Sequence, residues 1–163
     1  MISGHARVMG VIFIMLSFSL AGSSAQNLPN STQKDLTAVK QVLADYDVAF
    51  DQNDAHAIGA LFAEEADFTN MRGASQHARK DIEQNYGKLF AGVLKGSHRT
   101  DSVKSVRFLA PEIAQMDAVW EMTGTKAADG SDNPPRNGLL DWVVAKVNGQ
   151  WRIVVFHESE FPK

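Results

Sequence analysis

Apolar residues change their spacing along this chain, and each change marks a different kind of element. Residues 8–20 form an almost unbroken apolar run. Between 32 and 51 the apolar positions are Leu36, Val39, Leu43, Tyr46 and Phe50, at intervals of three and four that trace one stripe of a helix. Thr32 followed three residues on by Asp35 resembles a capping box, and Gln52-Asn53 ends this helix before Asp54 caps a second, in which Ile58, Leu61 and Phe62 share a face. Residues 66–71 carry Phe68 and Thr69 and read as a strand that stops at Arg72-Gly73. A third helix follows with the stripe Ile82, Tyr86, Leu89, Phe90 and Val93, and Gly96 stands where a C′ glycine terminates it.

From His98 onward the period falls to two. Residues 103–109, 113–126, 138–147 and 150–157 read as four long strands, separated by Ala110-Pro111-Glu112, by a polar loop over 127–137 and by Asn148-Gly149. An Asn-Gly pair favours positive φ at both central positions of a type I′ turn, so the last hairpin has a countable register. Counted outward, Val147 faces Gln150, Lys146 faces Trp151, Val144 faces Ile153, Trp142 faces Val155 and Leu140 faces His157. This count puts Trp142 and His157 on one face and turns Asp141 to the other. Both faces are apolar in mid-strand, which predicts that both are covered. The helices cover one, and a second copy of the sheet is the economical cover for the other, in a homodimer. The expected fold class is α+β, with three N-terminal helices packed in a curved, mainly antiparallel sheet that forms a cone-shaped barrel.

Composition changes the picture mainly at the N-terminus. Arg7 without acids, the apolar run of 8–20 and the small residues Ser23-Ser24-Ala25 read as a secretory signal over 1–25, whose apolar run is too short to cross a bilayer. The expected organisation is a signal peptide at 1–25, a linker at 26–34 and a single domain at 35–163, located in the periplasm or secreted, with no stable membrane insertion after cleavage. Removing the signal takes one Arg from the net charge of −3, leaving −4. With no Lys/Arg cluster, nucleic acid is not an expected partner. The absence of cysteine excludes a disulfide scaffold and thiol chemistry.

A sheet curving over helices leaves an open-ended cone suited to a small molecule. Trp142 and Trp120 are candidates to line it, against the plainer reading that such residues fill the core, the reading preferred for Trp151 and Met116. His157, placed inward by the count, is a candidate acid/base or a rim histidine bonded to backbone. His77 and His98 flank the third helix, at the cone mouth or on the surface. His98 stays among the candidate ligand-binding residues. No metal spacing links the histidines, no Gly-x-Ser-x-Gly occurs, and Glu64-Glu65 and Glu158-Ser159-Glu160 read as solvated charge. Arg136, in the 127–137 loop, is open to recruiting an anionic substituent or to simple solvation.

The string AVKQVLADYDVAFDQNDAHAIGALFAEEADFTNMRG, with LFAGVLKGS, SVRFLAPEIA and NGQWRIVVFHES, resembles the SnoaL-like branch of the nuclear transport factor 2-like superfamily, and within it the SgcJ/EcaC group. The resemblance implies a cone-shaped, usually dimeric α+β barrel whose cavity binds or transforms hydrophobic organic molecules. The group carries an oxidoreductase label, but this chain has no dinucleotide fingerprint, and no cofactor is expected. Ketosteroid isomerases of the same superfamily use a tyrosine on the first helix and an aspartate on the first strand. Gap-free matching puts Tyr46 on the tyrosine and Asn70 on the aspartate, and asparagine cannot act as a base. The resulting expectation is an exported protein that binds a small hydrophobic molecule. If it is catalytic, it transfers protons with His157 and Tyr46, while Asn70, Trp120, Trp142 and His98 contact the ligand. The alternatives are binding without catalysis, or a dimeric protein-interaction module.

Overall fold

The computed structural model describes residues 30–127 and 129–162. The expected signal peptide lies outside the described residues. Helix α1 (Asn30–Asp51) begins inside the expected linker, so residues 30–34 are helix. It buries Val39, Leu43, Tyr46 and Phe50 along the stripe its sequence predicts. Helix α2 (Ala55–Leu61) starts at Asp54, whose Oδ1 accepts the Ala57 N–H at 2.9 Å. Helix α3 (Arg79–Ala91) buries Ile82, Tyr86 and Phe90. It stops earlier than Gly96 suggested, because turns over 92–96 take up the chain before that glycine, which has φ +71.

The strands are β1 (Phe62–Thr69), β2 (Ser75–His77), β3 (His98–Ala110), β4 (Ile113–Thr123), β5 (Arg136–Val147) and β6 (Gln150–Glu160). They form one sheet in the order β2-β1-β6-β5-β4-β3. Only β1 with β6 is parallel. Three helices against a curved, mostly antiparallel sheet is the expected α+β class. The short β2 was not predicted, since three residues carry no readable period.

The β5–β6 turn forms as counted, with Asn148 at φ +50 and Gly149 at φ +78. The pairs Val147↔Gln150, Lys146↔Trp151 and Val144↔Ile153 also hold. The register then shifts. Val143 pairs with Val155, Trp142 with Phe156 and Leu140 with Glu158, so Val154 is an extra residue. A bulge of one residue reverses which side chains face inward beyond it. Phe156 is therefore buried and His157 exposed, which corrects the inward placement of His157.

The inner sheet face, including Met116, Trp120, Trp142 and Phe156, packs against α1 and α3 around stacked aromatics, with Phe68 and Phe156 ring centroids 4.5 Å apart. The outer face leaves Ile113, Leu139 and Val147 exposed. Among the described residues no helix is long and apolar enough to cross a membrane.

Candidate functional site

β3 is the last strand of the sheet, and α1 answers part of its hydrogen-bonding need. Two residues of strand and four residues of helix cover similar lengths, roughly 6–7 Å. Asp47 and Asp51, one turn apart, thus meet alternate N–H groups of β3: Asp101 N–H donates to Asp47 Oδ2 and Arg99 N–H to Asp51 Oδ1, each at 3.1 Å. With this edge docked on α1, the Arg99 and Asp101 side chains are buried on the inner face.

Arg99 is only 2% exposed. Its Nε and Nη2 donate to the two oxygens of Asp101 at 2.8 and 3.1 Å, and Nη1 donates to Glu158 Oε2 at 3.0 Å. Its guanidinium lies 5.2 Å from the Tyr46 ring centroid and 5.3 Å from that of Trp120. A buried cation needs both paired charge and filled donor positions, and Arg99 has both. Asp47 is half-buried beside Asp101, and its Oδ1 meets no hydrogen-bond donor among the described residues. Loss of water and the adjacent Asp101 carboxylate push its pKa up to about 8.

A cavity of about 90 Å³ opens above this cluster. Helix α1 contributes Tyr46 and Phe50, and α3 with its following turn contributes Tyr86, Leu89, Val93 and Leu94. Phe68, Asn70, Met71 and Arg72 come from β1 and the turn after it, while the rest of the sheet adds Arg99, Met122, Arg136 and Glu158. The Tyr46 and Tyr86 hydroxyls are 2.6 Å apart. Burial pushes both phenols above their ordinary pKa, so they stay neutral at physiological pH. In such a pair one hydroxyl donates to the other, and the acceptor's own proton remains free for a third oxygen. Glu158 uses Oε2 for Arg99, and its other oxygen has no hydrogen bond among the described residues.

A second, outer cavity of about 460 Å³ shares Arg72 and Arg136 with the first and adds Asn133, Pro134, Glu160 and Phe161. Arg136 is neither solvated nor free. It is held bidentately by Glu160, through Nε at 2.9 Å and Nη2 at 2.6 Å.

The structure brings together only some of the predicted site residues. Tyr46 and Asn70 line the inner cavity. Asn70 Oδ1 is engaged by the Arg72 and Ala74 N–H groups at 2.9 and 3.1 Å, so this asparagine shapes the turn that carries Arg72. Trp120 and Trp142 are fully buried and lie outside the cavity lining. Trp120 Nε1 donates to the Leu139 and Ser159 carbonyls, and Trp142 meets the Tyr46 ring edge-on at 5.2 Å. They support the wall but do not line it. His98 is exposed and paired with Asp51 at 2.7 Å, away from the lining. His157 sits on the outer face with Asp67 and His77 around a separate surface depression.

Arg99, Asp101, Tyr86 and Glu158 were missed as site residues. Glu158 and Glu160 are partnered inward, which corrects their reading as solvated charge. An arginine and an aspartate two apart on one strand face, continuing into Val103, was the available signal for the Arg99 cluster. Among the described residues no group of three His, Asp or Glu is arranged to hold a metal.

No curated protein matches the sequence. Solved structures resemble it in fold. An NTF-2 like protein of unknown function from Shewanella oneidensis is 17% identical, with a TM-score of 0.63 over 77% of this chain and 98% of that one. A ketosteroid isomerase-like protein from Erwinia carotovora atroseptica is 16% identical, with a TM-score of 0.68 over 80% and 98%. LinA is 8% identical, with a TM-score of 0.73 over 81% and 89%. The SnoaL-like domain family matches residues 31–157. The helices and curved sheet that carry the cavity have an NTF2-like fold, and by the family match the chain belongs to the SnoaL-like domain family.

Proposed function

We propose that the domain binds a small, largely apolar organic molecule carrying a carbonyl or hydroxyl oxygen, and transfers a proton on it. The observation that carries this reading is the hydrogen-bonded Tyr46–Tyr86 pair in the same apolar cavity as Glu158. A neutral phenol pair with one uncommitted proton suits an oxygen that gains negative charge, and a carboxylate with one unbonded oxygen suits the removal of a proton nearby. Glu158 takes the role that the hairpin count gave to His157. The likeness to a ketosteroid isomerase-like protein is consistent with such chemistry.

Native mass spectrometry of the protein purified from its own host, followed by identification of any retained compound, tests the reading. The expected result is a co-purified organic molecule lost in the Tyr46→Phe/Tyr86→Phe double variant. Retention of the same compound by that variant refutes the assignment of the pair. Turnover of the compound should then be abolished by Glu158→Gln.

Binding without turnover is the second reading. It is favoured by the Arg99–Glu158 contact at 3.0 Å, which already commits one oxygen of the proposed proton acceptor. Absence of turnover of the retained compound at every pH selects it.

The proposal extends to place and assembly. The pattern of residues 1–25 supports export, which predicts a mature N-terminus at Gln26. The exposed apolar side chains of the outer sheet face support a homodimer through that face.

A further inference from the structure

The distribution of charge over the two neighbouring cavities, which share Arg72 and Arg136 in their walls, distinguishes their ends. At the inner end one guanidinium, Arg99, is paired with two carboxylates, Asp101 and Glu158, so these three groups carry an excess of one negative charge. At the outer end Arg136 is neutralised by Glu160. Arg72 is different. It is exposed, lines both cavities, and forms no ion pair among the described residues. Its backbone is nonetheless fixed, because Asn70 Oδ1 accepts its N–H and Gly73, at φ +76, closes the turn onto Asn70 O at 2.9 Å. A cation without a partner on a well-formed turn, at the junction of an apolar chamber and a polar one, is placed to meet an anion.

Size points the same way. A dry cavity of about 150 Å³ accepts a benzene ring, so the inner chamber of about 90 Å³ encloses only part of a ring-bearing ligand. A ligand of that kind extends into the outer chamber, past Arg72. We infer that the ligand is a small organic monoanion, seated with its apolar or oxygen-bearing end inside and its carboxylate, or an equivalent acidic group, held outside by Arg72. The opposite orientation is disfavoured, since a carboxylate there meets Glu158 in the lining, while the one inner guanidinium, Arg99, is already committed to Asp101 and Glu158. This inference deepens the small-molecule reading above and rests on it.

Paired acids and amides of one shape test it. Benzoate with benzamide, and phenylacetate with phenylacetamide, are titrated into the purified protein by calorimetry at low salt. Each acid should bind about tenfold more tightly than its amide, and the ratio should fall toward one at high ionic strength. Arg72→Gln should bring the ratio to about one, and Arg72→Lys should keep part of it, because lysine retains the charge but not the planar fork. Equal binding of acid and amide to the wild type, or a preference that survives Arg72→Gln, overturns the inference while the cavity reading stands. Failure of all four probes to bind overturns the cavity reading and this inference with it.

Discussion

The half-buried Asp47 makes the stability of this protein respond to pH in the direction opposite to that of a salt-bridged carboxylate. Its ordinary value of 3.8 rises to about 8 in the fold, through loss of water first and then through Asp101. Between those values the folded state keeps the proton and the unfolded chain has lost it. Stability therefore falls as pH rises from about 4 to about 8 and levels off above. Each pH unit corresponds to about 1.4 kcal/mol for a fully protected group, so the span of about four units sets a ceiling near 6 kcal/mol. Because the carboxyl is partly open to solvent, screening reduces this several-fold, to on the order of 2 kcal/mol.

Asp47→Asn replaces the protonated acid with a neutral group of the same shape. Its carbonyl can still accept the Asp101 N–H now bound at 3.1 Å, and its amide can donate to the Asp101 carboxylate. Urea unfolding followed by the fluorescence of the buried Trp120, Trp142 and Trp151 reports the difference between wild type and variant, in which other titrating groups cancel. The variant should match the wild type near pH 4.5 and exceed it by about 2 kcal/mol near pH 8.5. A difference that does not change with pH, or a variant less stable at pH 8.5, would falsify the claim that Asp47 is held neutral.

Three further outcomes are expected. Gly138→Ala should cost roughly 3 kcal/mol in unfolding free energy, because a Cβ there meets the Ser159 carbonyl oxygen at 1.8 Å and Trp120 Cζ2 at 2.7 Å; a wild-type melting temperature contradicts this packing. His157→Ala should leave affinity for any cavity ligand unchanged within twofold by calorimetry, since the side chain lies on the outer face; a tenfold loss would restore it to the site. Leu139→Lys, at a position 46% exposed, should convert a dimer to a folded monomer by light scattering with unchanged circular dichroism; a dimer that persists removes the outer face as its interface.

What was legible in the sequence follows from where physical signals are local. The stripes of α1 and α3 were readable because their buried apolar residues recur at intervals of three and four, and the Asn148-Gly149 turn because few residue pairs accept two positive φ values. The fold class followed from the order of these elements. The Arg99 cluster was hidden because its parts come from 47, 99, 101 and 158, and a charge reads as solvated until its partner is placed beside it. Trp120 and Trp142 were assigned to the cone for a related reason. Apolar periodicity identifies an inward face but does not say whether a side chain on it reaches the cavity or fills the layer beneath.

The bulge at Val154 explains why the proposed acid/base residue changed. In Ile153-Val154-Val155-Phe156 every side chain is apolar, so either phase of alternation satisfies the hydrophobic requirement, and the pattern holds no mark of the extra residue. The decision is made by the polar residues that follow. In the unbulged register His157 faces inward and Glu158 and Glu160 point to solvent, which leaves the inward guanidinium of Arg99 with Asp101 alone and Arg136 without its carboxylate. In the bulged register both arginines are paired, at 3.0 Å to Glu158 and 2.6 Å to Glu160. A buried cation that loses one of its partners costs several kcal/mol, more than a local disruption of one ladder position in a strand whose flanking pairs remain intact. The register that places Glu158 at the cavity is thus favoured by charge pairing across β3, β5 and β6. The same extra residue that turns His157 outward brings Glu158, the proposed proton acceptor, to the cavity wall.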